Sequence, residues 1–144
     1  MLFKTISFLL LASGVLGASS EFEAAQKILK AMDEALMNRN YEEFLGMHDD
    51  KFQFKFCEET GGKKELEEYL KNDLQLAQVW KSKHSIQPNE FFHRRGRFYF
   101  GYEQNLLLNS YLLYKTTGRI IFELDESKDP KILSANEECS VLVF

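Results

Sequence analysis

Residues 40–57 read NYEEFLGMHDDKFQFKFC: a short helix, a sharp stop, then a strand. Asn40 is a helix-capping residue, and Glu43 stands three places on, where its carboxylate reaches back to the cap. Tyr41, Phe44, Leu45 and Met47 give the helix an apolar side. The pattern breaks at His48, Asp49 and Asp50. Phe52, Phe54 and Phe56 then alternate with Gln53 and Lys55, the period of a strand buried on one face.

The flanks extend both patterns. Upstream, Ser20-Glu21-Phe22-Glu23 is a capping box. From Glu21 to Met37, Phe22, Ala25, Ile28, Leu29, Met32, Ala35 and Leu36 recur every three or four residues. Lys27, Lys30, Asp33 and Glu34 take the other side of this amphipathic helix. Downstream, Gly61-Gly62 marks a turn. Lys63 to Leu74 places Leu66, Tyr69, Leu70 and Leu74 on one face of a third helix, with Glu67 and Lys71 spaced for a charge pair. From about Ser82 the period becomes two, and His84, Ile86, Pro88, Glu90 and Phe92 share one face. Pro88 marks an edge strand or a bulge. His93 to Arg97 (HRRGR) is a turn, after which Phe98, Phe100 and Tyr102 alternate with Tyr99, Gly101 and Glu103. Leu106 to Tyr114 is apolar on both faces and reads as a strand covered on both sides. Thr116-Thr117-Gly118 reads as a turn. Ile120, Phe122 and Leu124 form the next strand, residues 126–131 a polar turn, and the last strand runs from Ile132 towards Phe144. Helices first and strands after them make an α+β domain with a mostly antiparallel sheet that curls around the helices.

Composition narrows the partners. The 144 residues are 44% hydrophobic, enough for one well-cored domain rather than a disordered chain. With 18 basic and 22 acidic residues the formal charge is −4, which suits neither nucleic acid nor an anionic membrane surface. Lys4, the apolar run Ile6 to Leu11 and small residues up to Gly17 form the pattern of a secretory signal peptide. We therefore expect a signal peptide over 1–17, one domain over 18–144, and secretion to the extracellular space. Cys57 and Cys139 are then able to pair as a disulfide; otherwise they are two buried thiols.

The layout resembles the nuclear transport factor 2-like superfamily, the cone-shaped fold shared with ketosteroid isomerases and polyketide cyclases. The resemblance covers about Ser20 to Cys139. It rests on the first helix, on Tyr41 to Phe56, and on Gly62-Lys63-Lys64-Glu65-Leu66 with Tyr69 and Leu70. It implies three N-terminal helices packed in the curled sheet, and in many relatives a homodimer formed through that sheet. It does not imply one function, because the superfamily contains enzymes and binding domains. Its enzymes often place an acid or base inside the cone near the first strand. Here that strand offers Lys55, with Glu58 and Glu59 beyond it, and no motif carries a catalytic residue over.

The candidate acid–base groups are Glu58, His84 and Glu90. On an unbroken strand His84 and Glu90 stand about 20 Å apart, so they act singly or lie at the rim. Tyr69, Trp80, Phe98, Phe100 and Tyr102 line an apolar pocket or fill the core. His48, Asp49 and Asp50 read as a solvated helix stop rather than a metal site, and neither a metal nor another cofactor is expected. Arg94, Arg95 and Arg97 read as a solvated turn. The expected function is a secreted, non-catalytic domain that binds a small apolar molecule or a protein partner. The alternative is a cofactor-free lyase or isomerase with an acid–base group inside the cone.

Overall fold

The structure is a computed structural model that describes residues 21–127 and 129–144. The expectations for the signal peptide and the Ser20 cap lie outside the described residues. Helix α1 covers residues 21–38. It buries Ala25, Ile28, Leu29, Met32, Ala35 and Leu36, the predicted stripe. Helix α2 is Tyr41–Gly46. Asn40 Oδ1 accepts the Glu43 N–H at 3.2 Å, and Asn40 Nδ2 donates to Glu43 Oε2 at 2.9 Å. The cap forms as predicted, with the return bond made to the side chain of Asn40. Helix α3, Lys63–Asn72, ends two residues before the predicted Leu74. Glu65 Oε2 accepts the Gly62 N–H at its start, and Lys71 Nζ meets Glu67 Oε1 at 2.7 Å.

Among the described residues there are seven strands, six in the order β2-β1-β6-β5-β4-β3 and β7 off this path, paired to β5. They are β1 (His48–Phe56), β2 (Glu59–Gly62), β3 (Val79–Arg94), β4 (Arg97–Leu108), β5 (Leu113–Leu124), β6 (Pro130–Glu137) and β7 (Val141–Val143). Among the described residues only β1 and β6 pair in parallel; the other pairs are antiparallel. The sheet is large, curled and unclosed, and the three helices sit with it as a cone. Phe52, Leu66, Val79, Phe100, Ile120, Phe122 and Ile132 are at most 2% exposed and form the centre of the core. Each such aliphatic or phenyl side chain contributes about 1.5–3 kcal/mol by leaving water.

The structure corrects three local readings and bears out a fourth. Leu106 to Tyr114 is not one strand. β4 stops at Leu108, a turn follows, and β5 starts at Leu113. Tyr111 takes a left-handed backbone there, at φ 64°. Thr116, Thr117 and Gly118 are not a turn but the middle of β5, opposite Gln104, Glu103 and Tyr102. Gly61 and Gly62 close β2 rather than a loop. A Cβ on Gly61 would lie 2.6 Å from Glu65 Cβ and 2.9 Å from Phe54 Cζ, so this glycine serves close approach. Finally, β3 carries the irregularity that Pro88 predicted. Ile86 pairs with Tyr102 and Phe91 with Phe100, so six residues of β3 oppose three of β4, an excess of three. The odd number in the bulge reverses the facing of the strand beyond it. Phe91 packs inward on Phe22 and Phe100, while Phe92 is exposed.

Candidate functional site

Helix α1 is pinned to β3 by one carboxylate. Asp33 is only 7% exposed, and its oxygens accept three hydrogen bonds from the strand. Ser82 Oγ donates at 2.6 Å, the His84 backbone N–H at 2.8 Å, and His84 Nδ1 lies 2.6 Å away. Gln104 Nε2 donates to Ser82 Oγ at 3.0 Å and extends the network to β4. Burial pushes the Asp33 pKa up, but the hydrogen bonds and charge of His84, together with Ser82, outweigh it and hold the carboxyl below its usual value. An ionised Asp33 fixes the proton of His84 on Nδ1 and leaves Nε2 as the basic nitrogen. Among the described residues Nε2 has no hydrogen-bond partner. By its type alone Asp33 belongs on the polar side of α1. Its position was informative: Leu29, Asp33 and Leu36 are spaced four and three apart, along the buried stripe.

His84 lines a cavity inside the cone, and so do Met32, Leu36, Phe44, Leu66, Ile120 and Ile132. The cavity has a volume of about 90 Å³. That is room for a few waters or one small organic molecule. Tyr69, Gln75 and Ser140 are exposed residues at its mouth. Deeper in the wall, Tyr102 is fully buried, with its ring centroid 5.2 Å from that of His84. Its hydroxyl donates to Glu137 Oε1. Burial raises the pKa of Glu137, against the pull of Tyr102 and His84 in the other direction. The same carboxyl and its own burial push the Tyr102 phenol well above its ordinary value, burial being the larger cause. Among the described residues no three His, Cys, Asp or Glu side chains converge as a metal site.

The predicted site residues part company here. His84 is not a rim or surface group; it is buried in the dyad. Glu58 lies exposed in the turn between β1 and β2, away from the cavity. Glu90 lies on the bulge of β3, 3.8 Å from Arg119 Nη2, and lines no part of the cavity. Of the five aromatics, Tyr69 and Tyr102 line it. Phe98 and Phe100 pack in the core, and Trp80 is exposed against Tyr111. Lys55 faces outward, as do Arg94, Arg95 and Arg97 at the β3–β4 turn. That turn has Arg95 and Gly96 at φ 53° and 74°, the two left-handed residues of a type I′ hairpin. Cys57 and Cys139 form a disulfide. Glu137 carried no local signal, and nothing in the sequence alone placed it under Tyr102.

His48 also departs from the solvated reading. It is 3% exposed, packed between the Phe44 and Phe52 rings, with Nδ1 donating to Phe44 O at 2.8 Å. Burial, aided by the Lys63 and Lys131 charges, lowers its pKa to about 4. The folded value lies below the unfolded one, so the contribution is present above pH about 6.5 and is lost as pH falls towards 4. The full loss is about 3 kcal/mol. Urea melts of wild type and His48→Gln should show it as a steeper decline of wild type across that window. Parallel declines would mean that His48 is protonated without cost. Glu137, raised instead, acts with the opposite slope in both proteins and cancels in the difference.

No family model matches the chain, and no curated protein matches its sequence. Solved structures do. A conserved protein from Planctomyces limnophilus superposes with a TM-score of 0.70 at 12% identity, over 87% of this chain and 99% of that one. An NTF2-like protein with a cystatin-like fold from Novosphingobium aromaticivorans gives 0.70 at 8% identity, over 89% and 87%. A type 2 hexachlorocyclohexane dehydrochlorinase, LinA, gives 0.64 at 11% identity, over 90% and 93%. At such identities the likeness is one of fold. The curled sheet, its three helices and these superpositions agree: the chain has the cone fold of the nuclear transport factor 2-like superfamily.

Proposed function

We propose that the cone binds a small, uncharged molecule and that His84, oriented by Asp33, acts on it as a general base in a cofactor-free elimination or isomerisation. The observation that carries this reading is the dyad itself: a buried carboxylate fixes one nitrogen of an imidazole that lines a cavity. A fold neighbour described as a dehydrochlorinase supports it only at the level of architecture. A second reading, an apolar-ligand carrier without turnover, is favoured by the Leu, Ile and Phe walls. The disulfide and the N-terminal apolar run support a secreted protein in either case. Among the described residues no helix is long and apolar enough to cross a membrane.

Nitrobenzisoxazole tests the base without knowledge of the natural substrate, because removal of one ring proton opens it to a coloured phenoxide. Wild type should open it faster than buffer, and His84→Ala should lower that rate by about a hundredfold or more. Equal rates in the two proteins would sink the catalytic reading. Native mass spectrometry of protein from secreting cells then tests the carrier, through a small mass that leaves on denaturation.

A further inference from the structure

We infer that Glu137, held beneath Tyr102, is the second proton-handling group of this cavity, so that the cone takes small neutral molecules carrying a hydroxyl, ether or carbonyl oxygen. The inference rests on the general-base reading and adds the acid to it.

The sheet is built to make this pair. Tyr102 of β4 stands opposite Gly118 of β5, and Gly118 stands opposite Glu137 of β6. A Cβ at Gly118 would lie 2.7 Å from the Tyr102 hydroxyl and 2.8 Å from Cζ. Without that atom the phenol ring crosses the middle strand and its hydroxyl reaches Glu137 Oε1. The end of β6 is fastened from the other side, where the Cys57 N–H donates to Glu137 O at 2.9 Å. Tyr102, Glu137 and His84 all line the one cavity. The titratable groups acting on that carboxyl are Tyr102 and His84, the latter backed by Asp33, and Tyr69 feels its charge; His48, Asp73 and Tyr114 line the cavity as well. No lysine or arginine among the described residues lines the cavity to hold Glu137 ionised. A glutamine would satisfy the Tyr102 hydroxyl equally well, so the hydrogen bond alone does not call for an acid.

With Oε1 occupied by the phenol, a protonated Glu137 presents its own O–H from Oε2. In an elimination, His84 Nε2 takes a proton from carbon and that electron pair becomes the new double bond. The carbon–oxygen bond breaks, and the departing oxygen takes the proton of Glu137. His84 ends protonated and Glu137 ionised; water returns one proton to Glu137 and removes the other from His84.

Infrared spectroscopy of the full protein in heavy water at neutral pH reads the acid directly. Wild type should show a protonated-carboxyl band that is missing in Glu137→Gln and shifted in Tyr102→Phe, which loses the hydrogen bond but keeps the ring. Absence of the band in wild type overturns the inference, whatever the turnover. Leaving-group dependence is the second arm. Glu137→Gln should slow unsubstituted benzisoxazole, a poor leaving oxygen, about tenfold more than the nitro compound. Equal slowing of both overturns a proton-donating role. A wild type inactive on both compounds but showing the band would reject the base and retain Glu137 as a neutral hydrogen-bond donor to a bound oxygen.

Discussion

Asp33→Asn should abolish most turnover of the benzisoxazole probes while leaving the fold in place, and Asp33→Ala should unfold at much lower denaturant. The two outcomes have one origin. Asp33 accepts from the Ser82 hydroxyl, the His84 backbone and the His84 ring, all in a buried site. Alanine removes every acceptor and strands three donors, one of them on an ionisable ring. Breaking a buried pair of this kind costs about 3–5 kcal/mol. Asparagine keeps one oxygen for the strand, but its amide donates where a carboxylate accepts. The imidazole must then turn Nδ1 into the acceptor and carry its proton on Nε2, the nitrogen that was the base. We expect kcat/KM on the probe to fall by a factor on the order of 10²–10⁴, with the denaturation midpoint moved far less than in Asp33→Ala. A wild-type rate in Asp33→Asn would show that Nε2 is not the base. Because Asp33 is held below its usual pKa, its share of stability stands above the ordinary carboxylate range. That share is lost as pH falls through the folded value.

Much of the fold was legible because its elements are periodic. The alternation of Phe52, Phe54 and Phe56 and the stripe of α1 each name an element and its buried face. Pro88 marks an edge strand or a bulge, and β3 is both. The site was half legible. His84 is among the candidates, but the acid weighed beside it on the same strand, Glu90, is too far along an unbroken strand to pair with it. The bulge sends Glu90 towards Arg119, and the true partner comes from a helix 51 residues away. Asp33 is charged, which argues for the solvent side, yet its spacing from Leu29 and Leu36 puts it on the buried stripe. Glu137 was beyond reach. Its meeting with Tyr102 depends on two strand registers and on the missing side chain of Gly118, and Thr-Thr-Gly imitates a turn. Local pattern carries periodicity but not the register between distant strands.

Loss of the Cys57–Cys139 bridge should lower the melting temperature by about 15 °C, a loss of about 4 kcal/mol. The bridge spans 82 positions, so the unfolded chain gains a large conformational freedom when it is cut. Its placement adds a second effect. It joins the ends of β1 and β6, a parallel pair, which no hairpin can hold. Phe56 pairs with Glu137 just inside it, and Thr116 Oγ1 meets Ser140 Oγ at 2.6 Å just beyond. Cutting the bridge therefore loosens the wall that carries Glu137 as well as the chain. Both cysteines are exposed, so a thiol reductant reaches them in the folded protein. Wild type with reductant and the Cys57→Ser/Cys139→Ser variant should melt together, well below oxidised wild type. They should also lose the shift that Tyr102→Phe produces in the Glu137 carboxyl band, because the two side chains no longer share a fixed register. Melting within about 3 °C of oxidised wild type would mean that β1 and β6 hold their pairing through the core alone, with Ile132 and Phe54 in place of the crosslink.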